Sequence, residues 1–473
     1  MNHLLVMKFG GTSMGTPERI RVAARLAAEQ WKSRPVVTVV SAMSKITDLL
    51  LDTLRKAEAG DEADLESNLQ RISDHHREAC CALLPESRQA TALERIDALI
   101  QEFTRIARGM MLLGERPPRS VDEAVAVGER LSALLMASHL EEEGVAATAV
   151  NAAAVIATDA SFGNASPLME QTRERCANTL RPLLESHVLP VVTGFNGSTL
   201  DGRPTTLGRG GSDFSASILA AALDASELWI WTDVDGIMTG DPRLIPEAQV
   251  LDAVTYAEAA ELAYNGAKVL HPRTLAPLAE REIPVWSKNS FAPEKPGTRI
   301  VPRLETPRGP HAVTSMGDVA LISIEPANPA LSGVKVMARS LEALAAGNVE
   351  LLAITSSSYR QSFCFLVRQS EVERATEFLE QDLALELAHG YLQPLQVDTD
   401  VGLIAVVGEG MRGTPGLAGR IFTAISRHHI NIIAIAQGSS ELTIAIVVHR
   451  SGLEQAVRAI HQECELGKRA AAS

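Results

Sequence analysis

Up to about residue 300, short apolar runs alternate with longer stretches whose apolar positions recur every three or four residues. Leu4–Phe9, Pro35–Ser41, Ala146–Asn151, Leu189–Thr193, Glu227–Thr232 and Ile283–Trp286 are short, β-rich runs and read as strands. Between them the spacing predicts helices over Ile20–Ser33, Thr47–Ala59, Ala124–Leu140, Pro167–Glu185 and Ser212–Leu223. Alternation of this kind predicts an α/β domain with a largely parallel central sheet flanked by helices. Residues 60–118, rich in Glu, Arg, Leu and Ala, read as a mostly helical insertion that Gly114–Pro118 ends.

The pattern changes at Pro293–Pro310, where five prolines mark a linker or domain edge. Beyond it the chain repeats itself. Ala353-Ile354-Thr355-Ser356 through Val367 runs parallel to Ala434-Ile435-Ala436-Gln437 through Val448 at an offset of 81. Val372, Ala375 and Leu379 then match Leu453, Ala456 and Ile460, while upstream Arg339, Leu344 and Val349 match Arg420, Ile425 and Ile430. Each copy reads strand, loop, helix, strand, strand, helix. Two copies make a domain duplication, not a solenoid.

The repeat disposes of one tempting motif. Gly408-x-Gly410-x-x-Gly413 lies between an apolar run and a helical pattern, the spacing of a dinucleotide-binding turn. Its counterpart in the first copy, around Glu325–Gly333, has no such glycines. The next strand, Asn431–Ala436, ends in Gln437-Gly438, not in the acidic residue that would hold a ribose. The loop is a tight turn or a site for a small effector.

The 473 residues allow roughly two to four domains. A net charge of -14 argues against nucleic acid or an anionic membrane as the main partner. Five cysteines with no C-x-x-C pair suggest a reducing cytoplasm. Leu4–Met7 is too short for a signal-peptide core, and no apolar run reaches the length of a membrane span.

Four stretches carry candidate chemistry. Lys8-Phe9-Gly10-Gly11-Thr12-Ser13 places a point charge and two glycines directly after the first strand. It is not a P-loop, since the lysine precedes the glycines. Thr206-Leu207-Gly208-Arg209-Gly210-Gly211-Ser212-Asp213 opens a helix, a natural anion site, where Arg209 can grip a carboxylate and Ser212 or Asp213 can cap. Trp231-Thr232-Asp233-Val234-Asp235-Gly236 ends a strand in acidic turn residues and is followed by Asp241-Pro242-Arg243. In Gly266-Ala267-Lys268-Val269-Leu270-His271-Pro272 a lysine stands in an otherwise apolar stretch.

Together these resemble the aspartate kinases of the amino-acid kinase family. The matching pieces are KFGGTS at 8–13, SAMSKITD at 41–48, VGERLS at 127–132, TTLGRGGSD at 205–213, WTDVDG at 231–236, DPR at 241–243 and GAKVLHP at 266–272. The duplicated C-terminal region is similar to the paired ACT regulatory domains of that family. The resemblance implies an amino-acid kinase fold over 1–303, then two ferredoxin-like βαββαβ ACT domains over 304–390 and 391–473. These would be interleaved through a strand near Ala312–Ser315.

The implied reaction is phosphorylation of the β-carboxylate of L-aspartate by ATP with Mg²⁺, giving 4-phospho-L-aspartate and ADP. Carried over residue by residue, Lys8 sits on the transferring phosphate, cradled by the N–H groups of Gly10 and Gly11 with Ser13. Gly210 and Gly211 also face phosphate. Asp213 orients Lys8 or a Mg²⁺-bound water, and Lys268 holds the ATP phosphates. Thr232, Asp233 and Arg243 line the nucleotide pocket. Arg209 takes the α-carboxylate of aspartate, Glu129 its ammonium, and Ser41 and Thr47 add hydroxyl contacts. No general base is needed, because the attacking carboxylate is already ionised. Met238 replaces the tyrosine that many relatives place near the adenine.

For the ACT pair the resemblance implies a lysine or threonine effector near Gln437, Ser439 and the loop of Gly408 and Gly413, whose free N–H groups would face its carboxylate. In the first copy Ser356 stands for Gln437, and Tyr359-Arg360 for Ser440-Glu441, so that copy binds nothing or a different ligand. Edge-strand pairing suggests a homodimer or larger oligomer. A kinase for glutamate or acetylglutamate would not be expected to combine VGERLS with a tandem ACT pair. Intact Lys8, Arg209, Asp213 and Lys268 argue against a ligand sensor with a dead kinase domain. A fused homoserine dehydrogenase is not expected either, since the chain stops at Ser473 after the second repeat.

Overall fold

The computed structural model describes residues 3–267, 269–305, 309–327, 333–357, 362–411, 413–438 and 440–467. Contacts divide the chain into two compact units. One comprises Met1–Ile237, Asp252–Tyr256 and Leu270–Arg303; the other comprises Met238–Leu251, Ala257–Val269 and Leu304–Ser473.

The first unit contains β1 (Leu5–Phe9), β2 (Val36–Val40), β3 (Ala147–Val150), β4 (Leu189–Thr193), β5 (Asn196–Ser198), β6 (Pro204–Thr206), β7 (Glu227–Thr232), β8 (Ala253–Thr255), β9 (Val285–Asn289) and β10 (Thr298–Val301). Eight of these form one sheet in the order β3-β4-β2-β1-β7-β9-β10-β8, with β5 and β6 a separate hairpin. Every pairing in the large sheet is parallel except β9 with β10.

Its helices are α1 (Pro17–Trp31), α2 (Ile46–Glu58), α3 (Glu62–Leu83), α4 (Glu86–Leu113), α5 (Pro118–Val125), α6 (Val127–Glu142), α7 (Met169–Glu185) and α8 (Gly211–Ala222). Then follow α9 (Tyr256–Tyr264), almost wholly in the second unit, and α10 (Pro272–Ala279). α1 starts where Thr16 accepts from the Arg19 amide and Pro17 takes the first helical position. α4 stops at Gly114, whose φ of 64° suits a residue without Cβ. Leu5, Met7 and Phe9 of β1 join Ile20, Ala23 and Ala27 of α1 and Leu131 and Leu135 of α6 in one core.

The expected strands and helices are present, with two differences. The helix expected over Ala124–Leu140 is two helices, α5 and α6. The strands β5, β6, β8 and β10, each three or four residues long, are too short to show an apolar period.

The second unit holds β11 (Ala312–Ile324), α11 (Gly333–Ala346), β12 (Leu351–Ser356), β13 (Phe363–Arg368), α12 (Val372–Asp382), α13 (Ala384–Ala388), β14 (Gln396–Val407), α14 (Leu417–Ser426), β15 (Ile432–Gln437), β16 (Thr443–His449) and α15 (Leu453–Glu463). The sheet is antiparallel, in the order β12-β13-β11-β14-β16-β15. β12 and β15, like α12 and α15, start 81 residues apart.

The two long central strands serve both copies. Val319–Ile324 of β11 pairs with β13, while Ala312–Met316 lies against Leu403–Val407 of β14. Each copy has its own core, one around Val336, Phe365 and Leu379, the other around Ile404, Ile421 and Ile460. Ile245 and Ala248 belong to the latter core, which is why Met238–Leu251 sorts with this unit although it precedes residue 303. Among the described residues no helix is long and apolar enough to cross a membrane.

Candidate active site

A parallel sheet gathers its strand C-termini along one edge, and the loops leaving that edge carry the chemistry. Lys8 lies one residue before the end of β1 and is 7% exposed. Its Nζ is 2.6 Å from Oδ1 of Asp213, in the first turn of α8. A Cβ on Gly10 would come within 3.4 Å of that ammonium, so the bare glycine lets the charge lie over the backbone.

The cradle differs in part from expectation. The Gly10 N–H donates to the Trp231 carbonyl at 3.1 Å, so it does not face a phosphate. Ser13 is buried, and its hydroxyl lies 3.3 Å from the same carbonyl and 2.8 Å from Ser290 Oγ. These two therefore hold the turn against β7 and β9, which leaves Gly11, of the two glycines, as the amide suited to a ligand. Arg19 extends the network, donating to the carbonyl and hydroxyl of Ser290 at 2.6 and 3.0 Å.

Glu129, in the first turn of α6, is 2% exposed. Its Oε1 accepts from the Ala42 amide at 3.2 Å, and its Oε2 is buried without a partner among the described residues. Burial pushes the carboxyl up to about 8, against the pull of the Ala42 amide and of the Lys8 charge. Gly128 lets the helix come this close, since a Cβ there would meet Ala42 at 3.0 Å and Leu50 at 3.1 Å. Ser41 follows β2, its amide donating to Phe9, and Thr47 stands in the first turn of α2. Lys45 caps α2 with a φ of 64°, an uncommon conformation for a side-chain-bearing residue.

Gly210 precedes α8 with a φ of 67° and no side chain caps that end of the helix. Arg209 is exposed and makes no ion pair among the described residues. The Gly211 amide donates to Gly208 O at 3.0 Å, so like that of Gly10 it does not face a phosphate, and Gly211 is pressed on Phe195, whose ring a Cβ would meet at 2.6 Å. Phe195 itself has a φ of 73°, and the glycine before it, Gly194, packs on Ser212. Thr232 ends β7, its carbonyl accepting from Ser290. Asp233 is exposed, whereas Asp235 is held by Asn289 and Lys295 at 2.6 Å each.

Arg243 belongs to the second unit, folded onto Asp241 with Nε at 3.0 Å from Oδ1. Lys268 and Ser439 lie outside the described residues, as do Tyr359 and Arg360.

In the second unit the glycine loop contradicts expectation. The amides of Gly408 and Gly413 donate to Leu442 O at 3.0 Å and to Glu441 Oε2 at 2.8 Å. The Glu409 amide donates to Glu258 at 2.7 Å. None of these three N–H groups is free for an effector. Gly408 is instead needed because the Gly309 carbonyl passes 2.3 Å from where its Cβ would be, and Gly413 because its φ is 64°. Gln437 does line a cavity of about 520 Å³, together with Gly438, Ser440, Thr355 and Ser356, so both copies contribute to one space. The sequence also gave no hint of Glu258, whose buried carboxylate faces His311 Nδ1 at 2.8 Å.

The sequence profile of the amino acid kinase family matches residues 3–289, and that of an ACT domain matches 404–464. The chain is 34% identical over 471 residues to the bifunctional aspartokinase/homoserine dehydrogenase 1, chloroplastic, of Arabidopsis thaliana, an alignment covering 98% of this chain and 51% of that protein. It is 32% identical to the lysine-sensitive aspartokinase 3 of Escherichia coli, covering 98% and 99%. It thus spans about half the length of the first relative and nearly all of the second. The crystal structure of E. coli aspartokinase III in complex with aspartate and ADP (R-state) superimposes with a TM-score of 0.82 at 31% identity, covering 98% of this chain and 99% of that one.

Proposed function

Because the chain belongs to the amino acid kinase family, with an ACT domain at its C-terminal end, we propose that it is an aspartate kinase, transferring the γ-phosphoryl of ATP to the β-carboxylate of L-aspartate. The observation that carries this reading is Glu129, a buried carboxylate with an unpartnered oxygen, close enough to Lys8 to feel its charge. A buried acid with a vacant acceptor suits an ammonium ligand. Arg209, without an ion pair among the described residues and beside a helix start that no side chain caps, suits the α-carboxylate. Ser41 and Thr47 complete the aspartate contacts.

Phosphoryl transfer needs alignment and charge neutralisation more than covalent help. Lys8, held by Asp213, supplies a fixed positive charge where negative charge develops on the transferred group. Gly11 and Gly210 let backbone approach phosphate oxygens, the Gly211 amide being taken by Gly208 O, while Thr232, Asp233, Arg243 and Lys268 receive the rest of the nucleotide. A Mg²⁺ bound with the nucleotide would need one or two protein carboxylates. The second oxygen of Asp213 and the exposed Asp233 fit that modest demand. The ion would supply charge compensation on the phosphates.

The proposed division is a catalytic domain over 1–303 and ACT domains over 304–390 and 391–473. Gln437, with Ser439, is the proposed effector contact, and the aspartokinase 3 of E. coli is named lysine-sensitive, so lysine is the first effector to try, threonine the second. The position of β12 and β15 at the ends of the sheet favours a homo-oligomer, and five free cysteines a reducing, cytoplasmic setting.

ATP-dependent hydroxamate formation with L-aspartate, L-glutamate and N-acetyl-L-glutamate tests the reading, each with and without millimolar lysine or threonine. Activity on aspartate alone is expected. No turnover on any acceptor would make the protein a sensor.

A further inference from the structure

Asp122, on α5, is 2% exposed, and among the described residues its charge faces no cation at bonding distance. It is instead surrounded by donors from two separate stretches of chain. Oδ2 accepts from the amides of Gly163 and Thr206, both at 2.8 Å, and Oδ1 accepts from Thr206 Oγ1 at 2.7 Å. Thr206 is the last residue of β6, and the loop that carries Arg209 leaves from it. Gly163 belongs to the turn against which that loop rests, since a Cβ on Gly208 would meet Asn164 Oδ1 at 2.7 Å and Gly163 O at 3.1 Å.

Other bonds tie the same two stretches together. The Ala165 amide donates to Thr206 O at 2.9 Å, and Thr158 and Thr205 share a hydroxyl bond of 2.7 Å. Arg273 donates to Ala165 O at 2.6 Å and to Leu207 O at 3.2 Å. Arg273, half-buried, and Asp122, fully buried, both reach the two stretches from outside with a charge, and a charge-assisted bond is roughly twice as strong as a neutral one.

We propose that Asp122 is a positioning residue for substrate binding: it locks Gly163 and Thr206 together and so sets where Gly208 and Arg209 leave the scaffold. The effect on substrate rests on the reading of Arg209 as the carboxylate ligand; the hold on the loop does not. Nothing in the geometry has Asp122 touching substrate, as its oxygens already accept three hydrogen bonds.

Asparagine separates geometry from charge. Its amide oxygen can accept the two backbone N–H groups while its NH₂ donates to the Thr206 hydroxyl, which can accept as well as donate. Alanine leaves all three donors without a partner.

The experiment compares Asp122→Ala and Asp122→Asn with the parent in steady-state kinetics and in the rate of tryptic cleavage after Arg209. Asp122→Ala is expected to speed that cleavage and to raise KM for aspartate about tenfold or more, with KM for ATP within about twofold of the parent. Asp122→Asn is expected to stay near the parent in both. General loosening would speed cleavage at every exposed site and leave the two KM values in their parental ratio, which overturns the proposal, as does parental cleavage after Arg209 in Asp122→Ala. Should that variant not fold, Thr206→Val removes one of the three bonds and is expected to shift both readouts in the same direction by less; parental values there also overturn it. If the parent itself turns over no aspartate, the kinase reading fails and cleavage alone decides the positioning role.

Discussion

Gly208-x-Gly210-Gly211 and Gly408-x-Gly410-x-x-Gly413 look alike on paper: each follows a strand and leads into a helix. In the first, no side chain caps the start of α8 and Arg209 makes no ion pair among the described residues, although the Gly211 amide donates to Gly208 O at 3.0 Å. In the second, the amides of Gly408, Glu409 and Gly413 each have an acceptor within the protein, and the glycines answer to a passing carbonyl and a positive φ. A glycine-rich loop becomes a binding loop only when its donors are left without partners. Spacing alone does not reveal that, because the acceptors of the second loop, Leu442, Glu441 and Glu258, come from elsewhere in the chain.

Substitutions can break this contrast. The largest effect belongs to the charge beside the first loop. Lys8→Ala is expected to lower kcat by about 10²–10³-fold with little change in KM for aspartate; parental turnover would remove Lys8 from the phosphate role. Next, Arg209→Ala is expected to raise KM for aspartate by about 10- to 100-fold, the worth of a charge-assisted hydrogen bond. A selective effect on ATP would reassign the loop to the nucleotide.

The pH dependence is sharper still as a test of the neighbouring acid. Glu129 titrates near 8 in the free protein, so below that pH it holds a proton and does not attract an ammonium. kcat/KM for aspartate should therefore rise about tenfold per pH unit on the acid side and level off above about 8. Glu129→Gln should lose that limb, and an unchanged profile would separate Glu129 from the substrate ammonium. The smallest change is expected in the second loop. Gly413→Ala should cost about 1 kcal/mol in denaturant unfolding through its positive φ, with KM for both substrates unmoved. A raised KM instead would restore a ligand role to that loop.

Much of the fold was legible because the residues that specify it are adjacent in sequence. β1 and β2 are uninterrupted apolar runs, and the 81-residue offset reappears in the starts of β12 and β15. Lys8 and Asp213, which the structure brings to 2.6 Å, stand out in the sequence because each sits at a strand end or helix start. What escaped depends on partners far along the chain. Gly10 and Ser13 turn inward because Trp231 and Ser290 lie against them, more than 200 residues away. Asp122 reads as an ordinary helix carboxylate until Gly163 and Thr206 are placed around it. The N-terminal half of β14, Gln-Val-Asp-Thr-Asp, is too polar to announce a strand, and forms one because β11 supplies its hydrogen bonds.

The shared central strands also set an order of events for a growing chain. Ala312 pairs with Val407, so β11 lacks part of its sheet until about 95 further residues have been made. At about 5–20 residues per second that is a wait of several seconds, during which the first copy has an open edge. Contacts this distant in sequence slow folding, and neither copy can finish its sheet alone. The duplicated half is therefore expected to fold as one cooperative unit, with the edge beside β11 open to misplaced strands until β14 arrives.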